Sequence, residues 1–282
     1  MGKELNMTDL KEILCQVREK EPLVQCITNF VTVNDCANMI LAAGGSPSMS
    51  HVKEEAAEAV QSADALVCNM GAIEDAEAMC LAGRQANALG IPVILDPVAA
   101  GGTRLRRETA KRLLDEVQFS VIRGNASEIR SLAGGKVTGK GVDAAALDAV
   151  TEENLAGAVN IVETLAKKTK SVIAVSGKTD IVSDGERTAI VRNGCAVMSR
   201  ITGSGCMLTS LIGAFCGAVP ESPFEAAVTG MAVMGIAGET ADKRRMKNGT
   251  GNATFRNDLI DAVFNFTEKQ LTEGIKIEVY KR

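Results

Sequence analysis

The segment Pro92-Val93-Ile94-Leu95-Asp96 is a short apolar run that ends in a carboxylate. A segment with helical periodicity, Glu74–Leu89, precedes it, and Gly90 lets the chain turn between the two. A strand that is apolar at consecutive positions is typical of a parallel sheet that helices cover on both faces. The run therefore predicts a buried strand of an α/β fold.

The same alternation of apolar runs and helical segments continues along the chain. Four more runs predict buried strands: Pro22–Ile27, Ala65–Asn69, Phe119–Arg123 and Ser171–Val175. Further helices are predicted at Thr32–Ala43, Thr151–Lys168, Thr202–Phe215, Ser222–Lys243 and Asn252–Leu271. In the first of these helices, Thr32 and Asp35 resemble a capping box, and Gly44-Gly45 is an end signal. Strands that alternate with helices in this way predict a mostly parallel sheet.

The last third of the chain adds antiparallel strands to this plan. Asp180–Ser183 and Arg187–Val191 flank Asp184-Gly185, a pair that is typical of hairpin turns. Lys276–Tyr280 alternates polar and apolar residues like an edge strand. We therefore expect a single α/β domain over residues 1–282, a three-layer sandwich whose central sheet is mostly parallel, with helices on both faces and a few antiparallel edge strands.

Composition and charge exclude several classes of function. The 282 residues carry a formal net charge of −4, and only 3% are aromatic. Nucleic-acid surfaces need basic patches or stacking rings, so we expect no nucleic-acid partner. No run approaches the length of a membrane-spanning helix and no signal-like segment begins the chain, so we expect no membrane partner and a cytoplasmic protein. The eight scattered cysteines and the single His51 do not match zinc-site spacing and indicate reduced thiols.

Polar residues end several of the predicted strands, and in open α/β sheets ligands bind beyond the carboxyl ends of the strands. These residues are Asn69, Asp96, Arg123-Gly124-Asn125 and Ser176-Gly177, with Glu128 one helical turn after Asn125. Carboxylates suit Mg²⁺ and arginine suits phosphate oxygens, so the set favours phosphoryl transfer. Each residue also has a structural interpretation, as a helix cap, a local backbone acceptor or an ion-pair partner.

A glycine-rich turn, Thr202-Gly203-Ser204-Gly205-Cys206, runs directly into an apolar helical segment. Its two glycines let the backbone approach a ligand, and the free amides of the following helix favour an anion such as phosphate. Cys206 lies at the start of that helix, where a thiol pKa is expected to be lowered. The alternative is a tight turn that only caps a buried helix.

Several of these segments resemble the hydroxyethylthiazole kinases, which are ribokinase-like enzymes of thiamine biosynthesis and salvage. The resemblance covers residues 20–260. It rests on segments in the same order: Ile27–Asn29, Gly45–Met49, Ile94–Val98, Ile122–Ile129, Lys140–Asp143 and Thr202–Cys206. Cys206 follows the second glycine of its turn, where most ribokinase-like relatives have aspartate. The resemblance implies a ribokinase-like fold.

The resemblance also implies an activity and an assembly. ATP would phosphorylate the hydroxyl of 4-methyl-5-(2-hydroxyethyl)thiazole with Mg²⁺ as cofactor. The enzyme would be a homotrimer whose thiazole site lies near the subunit interface. The residues implied to bind the thiazole are Met49, Gly203 and Asn29.

Further roles are implied for the strand-end residues and the glycine turn. The residues implied to bind the nucleotide are Arg123, Ser176 and Asn125, and those implied to organise Mg²⁺ are Asp96 and Glu128. The residues implied to act catalytically are Cys206, Gly203 and Gly205. Amides of the turn would stabilise the transferred phosphoryl group, while the Cys206 thiol orients the alcohol and takes its proton late.

Two positions depart from the family pattern. Gln25 stands where the family often has histidine, and Ala99 stands where a glycine is usual. The first affects the thiazole pocket and the second affects the loop on the phosphate side. Alternative functions are a hydroxymethylpyrimidine-type or pyridoxal-type kinase, a nicotinamide-nucleotide hydrate dehydratase, a nucleotide-binding sensor, and a thiol hydrolase with Cys206 as nucleophile and His51 as base.

Overall fold

The computed structural model describes residues 5–134, 150 and 153–281, so the Lys140–Asp143 segment and Thr151 lie outside the described residues. Its sheet consists of β1 (Leu23–Ile27), β2 (Ser46–Ser48), β3 (Ala65–Asn69), β4 (Val93–Asp96), β5 (Val121–Asn125), β6 (Val172–Ser176), β7 (Asp180–Ser183), β8 (Thr188–Val191) and β9 (Ile277–Val279). The spatial order is β2-β1-β3-β4-β5-β6-β7-β8-β9. Pairs up to β5–β6 are parallel and the later pairs are antiparallel. The predicted mostly parallel sheet with antiparallel edge strands is confirmed.

Helices cover both faces of this sheet. In chain order they are α1 (Met7–Lys20), α2 (Val33–Ala43), α3 (Ala56–Ala59), α4 (Ala76–Leu89), α5 (Arg104–Glu116), α6 (Ala126–Leu132), α7 (Leu155–Thr169), α8 (Ser204–Ala218), α9 (Pro223–Asn248), α10 (Asn252–Phe264) and α11 (Glu268–Gly274). Buried side chains of α1, α2 and α8–α11 form one core, and those of α3–α7 form a second. Successive strand residues alternate between the cores: Val67 faces the first and Cys68 the second. The predicted three-layer sandwich is confirmed.

Two helical predictions differ from the structure. Thr32 forms no side-chain cap on α2, because its hydroxyl donates to Asn29 Oδ1 at 3.1 Å. The predicted helix Asn252–Leu271 is two helices in the structure. Helix α10 ends at Phe264, and Thr267 caps the start of α11. Helices α1 and α5 were not predicted. Among the described residues, no helix combines the length and apolar composition that crossing a bilayer requires.

Two glycines bring α8 close to its neighbours and so fix where that helix begins. A Cβ at Gly213 would lie 2.6 Å from Val67 Cγ2 of β3, and a Cβ at Gly230 of α9 would lie 2.5 Å from Ile212 Cγ1. Larger residues at these positions would push α8 away from the sheet or from α9. The close packing holds the N-terminus of α8 above the carboxyl ends of β3 and β4.

Candidate functional site

The glycine turn and the start of α8 form the centre of the site. Gly203 is the residue before the helix and has φ +80°, a left-handed conformation that favours glycine. A Cβ at this position would lie 2.5 Å from Thr32 Cγ2, and Thr32 is buried. The turn therefore requires glycine for two reasons. The first amides of α8 have no side-chain cap, which leaves them available to an anion.

Asp96 lies at the end of β4 on the face that α8 covers, with only 1% of its surface exposed. Its Oδ2 accepts hydrogen bonds from Asn69 Nδ2 at 3.1 Å and from Thr209 Oγ1 at 2.9 Å. Burial raises the pKa of Asp96 to about 6, with Arg123 opposing the shift and Glu128 adding to it. Thr209 was not predicted, although it is a polar residue in an apolar helix one turn after Gly205.

A chain of amide groups connects Asp96 to Cys206. Asn69 Oδ1 accepts hydrogen bonds from Asn29 Nδ2 at 3.2 Å and from the Gly71 amide at 2.8 Å. Asn29 Nδ2 lies 3.6 Å from Cys206 Sγ. The predicted residues Asn29, Asp96 and Cys206 are therefore brought together.

The thiol of Cys206 has a raised pKa, which contradicts the expected lowering at a helix N-terminus. Burial is the largest cause, and the nearby carboxylate of Asp96 adds to it. Cys206 is therefore a neutral thiol at neutral pH. His51 is exposed and its Nδ1 lies 3.3 Å from Asp75 Oδ2, so it pairs away from the thiol. This arrangement does not suit the nucleophile and base of a thiol hydrolase.

Arg123 of β5 is a buried cation that connects two strand ends. Its guanidinium donates a hydrogen bond to Ser176 Oγ at the end of β6 and lies 3.9 Å from Asp96 Oδ2. Its Nε is buried with no hydrogen-bond partner among the described residues. A Cβ at Gly205 would lie 2.5 Å from Arg123 Nη1, so the absence of a side chain at Gly205 makes room for the guanidinium.

A cavity of about 680 Å³ lies beside Arg123, between the β6–β7 turn and helices α8 and α9. Ser176 and Asp180 line the cavity together with Arg123, and so does Gly177, whose amide donates to Asp180. Its apolar wall includes Leu208, Met198, Met231 and Met234. The Gly249–Phe255 segment, at the junction of α9 and α10, does not line this cavity. The sequence did not predict that Asp180 belongs to the site, nor that Asn193–Ala196, Met198 and Ser199 do.

Asn125 and Glu128 form the capping box of α6, as their structural interpretation predicted. Asn125 Oδ1 accepts from the Glu128 amide at 3.0 Å, and Glu128 Oε2 accepts from the Asn125 amide at 2.8 Å. Glu128 Oε1 also accepts from the Ala99 amide at 3.0 Å. Ala99 has φ +54°, which costs a non-glycine residue about 1 kcal/mol. Ala99 therefore adopts the left-handed turn that glycine would adopt freely, and the hydrogen bond from its amide to Glu128 stabilises that turn.

Met49 and Gln25 lie next to each other around the loop after β2. Met49 is half-buried and packs against the core that contains α8. Gln25 is buried in β1, and its Nε2 donates to the carbonyl of Ser50, the residue after Met49. Gln25, which departs from the family pattern, thus holds the loop that contains Met49 through a hydrogen bond to its backbone.

The sheet order, the helices on both faces and the glycine turn that opens α8 define a ribokinase-like α/β fold. The model of the hydroxyethylthiazole kinase family matches residues 14–269, and the chain belongs to that family. It is 46% identical over 280 residues to a hydroxyethylthiazole kinase of Clostridium beijerinckii, covering 99% of both chains.

Solved structures agree with this assignment. A hydroxyethylthiazole kinase structure from Pyrococcus horikoshii has a TM-score of 0.84 and 35% identity, covering 97% of this chain and 100% of its own. A pyridoxal kinase from Staphylococcus aureus in complex with AMP-PCP has a TM-score of 0.56 and 15% identity, covering 77% and 88% of the two chains. At that identity the second likeness shows the ribokinase-like fold alone.

Proposed function

We propose that this protein transfers the γ-phosphoryl group of ATP to the hydroxyl of 4-methyl-5-(2-hydroxyethyl)thiazole, in thiamine biosynthesis or salvage. The observation that carries the proposal is the uncapped N-terminus of α8 at Gly203, which lies beside Asp96, Arg123 and Cys206 in a member of this kinase family. These groups match what phosphoryl transfer requires: positioned donors, a cation and a carboxylate.

The nucleotide occupies the cavity beside Arg123, with its phosphates towards the start of α8. Arg123 and Ser176 bind phosphate oxygens, because a guanidinium and a hydroxyl offer donors at the mouth of the cavity. The amides from Gly203 to Cys206 stabilise the equatorial oxygens of the transferred group. Asn125 contributes only an exposed surface near the nucleotide, because its side chain caps α6.

The residues present fit Mg²⁺ held mainly by phosphates and water. Asp96 and Glu128 lie close enough for Glu128 to raise the pKa of Asp96, and the described residues contain no cluster of three metal-ligating side chains. Mg²⁺ is commonly bound by one or two carboxylates together with substrate phosphates. When bound, the ion neutralises charge on the phosphates; Asp96 and Glu128 would hold it.

The thiazole binds between Met49 on one side and Asn29 and Gly203 on the other. Met49 offers an apolar surface for the ring, and Asn29 and Gly203 offer polar contacts near the alcohol. Cys206 is a neutral thiol that hydrogen-bonds Asp96, so it orients the hydroxyl and can take the alcohol proton only as it passes its own S–H proton to the Asp96 carboxylate. This transfer comes late, when the bond between the γ-phosphoryl group and ADP is largely broken.

The direct test is an assay of the purified protein with MgATP and a panel of alcohols: hydroxyethylthiazole, hydroxymethylpyrimidine and pyridoxal. We expect ADP release to depend on hydroxyethylthiazole. Faster turnover of pyridoxal or hydroxymethylpyrimidine would assign the protein to a different kinase activity. ATP binding without turnover of any alcohol would indicate a nucleotide sensor.

Substitution of Cys206 tests the modest role given to the thiol. We expect Cys206→Ala to lower kcat by about tenfold, less than the 10²-fold to 10³-fold typical of a lost preorganised donor, with KM for ATP near that of the wild type. Cys206→Asp should remain active, because aspartate is usual at this position in related kinases. Steady-state kinetics of both variants would measure this, and an unchanged kcat in Cys206→Ala would remove the thiol from the mechanism.

We further propose a cytoplasmic homotrimer of single-domain chains, with the thiazole site near a subunit interface. Phe30 and Val31 support an interface there: they follow Asn29 directly and are 83% and 58% exposed. The cytoplasmic location has separate support: all eight cysteines are free thiols, as expected in a reducing compartment. Light scattering should give about three times the 29.6 kDa of one chain. A monomeric mass with full activity would contradict the trimer.

A further inference from the structure

Asp180 is a buried carboxylate at the cavity beside Arg123, and none of the steps above uses it. It is the first residue of β7 and is 8% exposed. Its Oδ1 accepts a hydrogen bond from the Gly177 amide at 2.8 Å, across the turn that joins β6 to β7. Ser176, Gly177 and Asp180 all line the cavity.

A carboxylate in this position is costly. Burial raises the pKa of Asp180 to about 7, although the Gly177 amide and the Arg123 guanidinium both favour the charged form. A hydrogen bond within a turn does not require such burial. Asp184 accepts backbone hydrogen bonds in the same way in the β7–β8 turn. Its Oδ1 accepts from the amides of Glu186 and Arg187, while its side chain is 23% exposed.

The β6–β7 turn also determines where the partner of Arg123 lies. Ser176, whose hydroxyl accepts from Arg123, immediately precedes Gly177. A turn released from Asp180 would let Ser176 and the Gly177 amide move relative to the guanidinium. Asp180 thus acts on the phosphate end of the cavity through the backbone of the turn.

We infer that Asp180 is a positioning residue for the nucleotide. Its carboxylate oxygen holds the Ser176–Asp180 turn in the shape that presents Ser176 and Arg123 to the phosphates. The inference rests on the proposed function only in taking a nucleoside triphosphate as the occupant of the cavity. What matters is an acceptor oxygen at this place, and the charge of Asp180 is secondary.

Three substitutions separate this role from a structural one. Asp180→Ala removes the acceptor, Asp180→Asn keeps an acceptor oxygen without the charge, and Asp180→Glu keeps the charge but displaces the oxygen. Asp184→Ala is the matched control, because it releases the turn at the other end of β7, away from the cavity. The measurements are the Kd of MgADP by calorimetry, KM for ATP, KM for the thiazole, kcat and Tm.

We expect Asp180→Ala to raise the Kd of MgADP and KM for ATP by about tenfold or more, the scale of one hydrogen bond to a charged group. KM for the thiazole should change far less. Asp180→Asn should bind MgADP nearly as the wild type does and better than Asp180→Glu, a comparison that remains decisive if Asp180→Ala does not fold. Asp184→Ala should lower Tm without weakening MgADP binding.

Two results would overturn the inference. One is normal MgADP binding by Asp180→Ala; the other is MgADP binding by Asp180→Glu that equals or exceeds that of Asp180→Asn. If the wild type binds MgADP but phosphorylates no thiazole, the proposed activity fails while the role of Asp180 is still measured. If the wild type does not bind MgADP at all, both fail.

Discussion

Arg123→Ala should lower kcat/KM for ATP by at least about 10²-fold, the scale for loss of one preorganised donor. Arg123 is 7% exposed, donates to Ser176 and faces Asp96, so its removal leaves the exposed Lys178 as the remaining cation among the described residues that line the cavity. Arg123→Lys should restore little of the rate, because an ammonium cannot reproduce the planar guanidinium. Steady-state kinetics with varied MgATP would measure the change.

The loss should be catalytic more than structural. Without Arg123, the pKa of Asp96 should rise further, and the carboxyl group can become neutral and remain buried. Arg104→Ala is the matched control, because Arg104 is 85% exposed on α5 and pairs with Glu108 at the surface. That variant should behave as the wild type. An Arg123→Ala enzyme with kcat/KM within about threefold of the wild type would contradict the assigned site.

Gly203→Ala should lower kcat by about 10²-fold, because the new Cβ displaces the amides that open α8. The backbone φ of +80° is strained for alanine, and the Cβ would lie 2.5 Å from the buried Thr32 Cγ2. Relief of that contact must move either the turn or the start of α2. Kinetics and thermal unfolding of the variant would separate the loss of rate from the loss of stability.

Two further variants isolate the cause. Gly249→Ala carries a similar strain at φ +65°, but its Cβ would meet nothing within 4 Å, so it should cost stability alone. Thr32→Ser removes Cγ2 and keeps the hydroxyl that donates to Asn29. Combined with Gly203→Ala, it should recover part of kcat. A Gly203→Ala enzyme with normal kcat would show that the turn does not contact the transferred group.

The approximate positions of the described strands other than β2 could be predicted because the signals for them are local. Runs such as Val93–Leu95 are apolar at every position, and the Asp184-Gly185 pair encodes its own turn. Polar residues at the ends of parallel strands necessarily share one edge of the sheet, so the grouping of Asp96 and Arg123 also followed from sequence. Thr32 and Asp35 show the limit of this approach, because they do not cap α2 as predicted. Thr32 bonds Asn29, and Asp35 bonds Arg256.

The sequence by itself determined the order of the apolar strands, the glycine turn at Gly203 and Gly205 and the edge of the sheet at which we propose that the ligand binds, because periodicity and backbone freedom act over a few residues. Only the tertiary structure decided that Cys206 is a neutral thiol, that Thr209 bonds Asp96 and that Asp180 faces the cavity. Those properties depend on burial and on charges from distant parts of the chain, which local patterns do not encode.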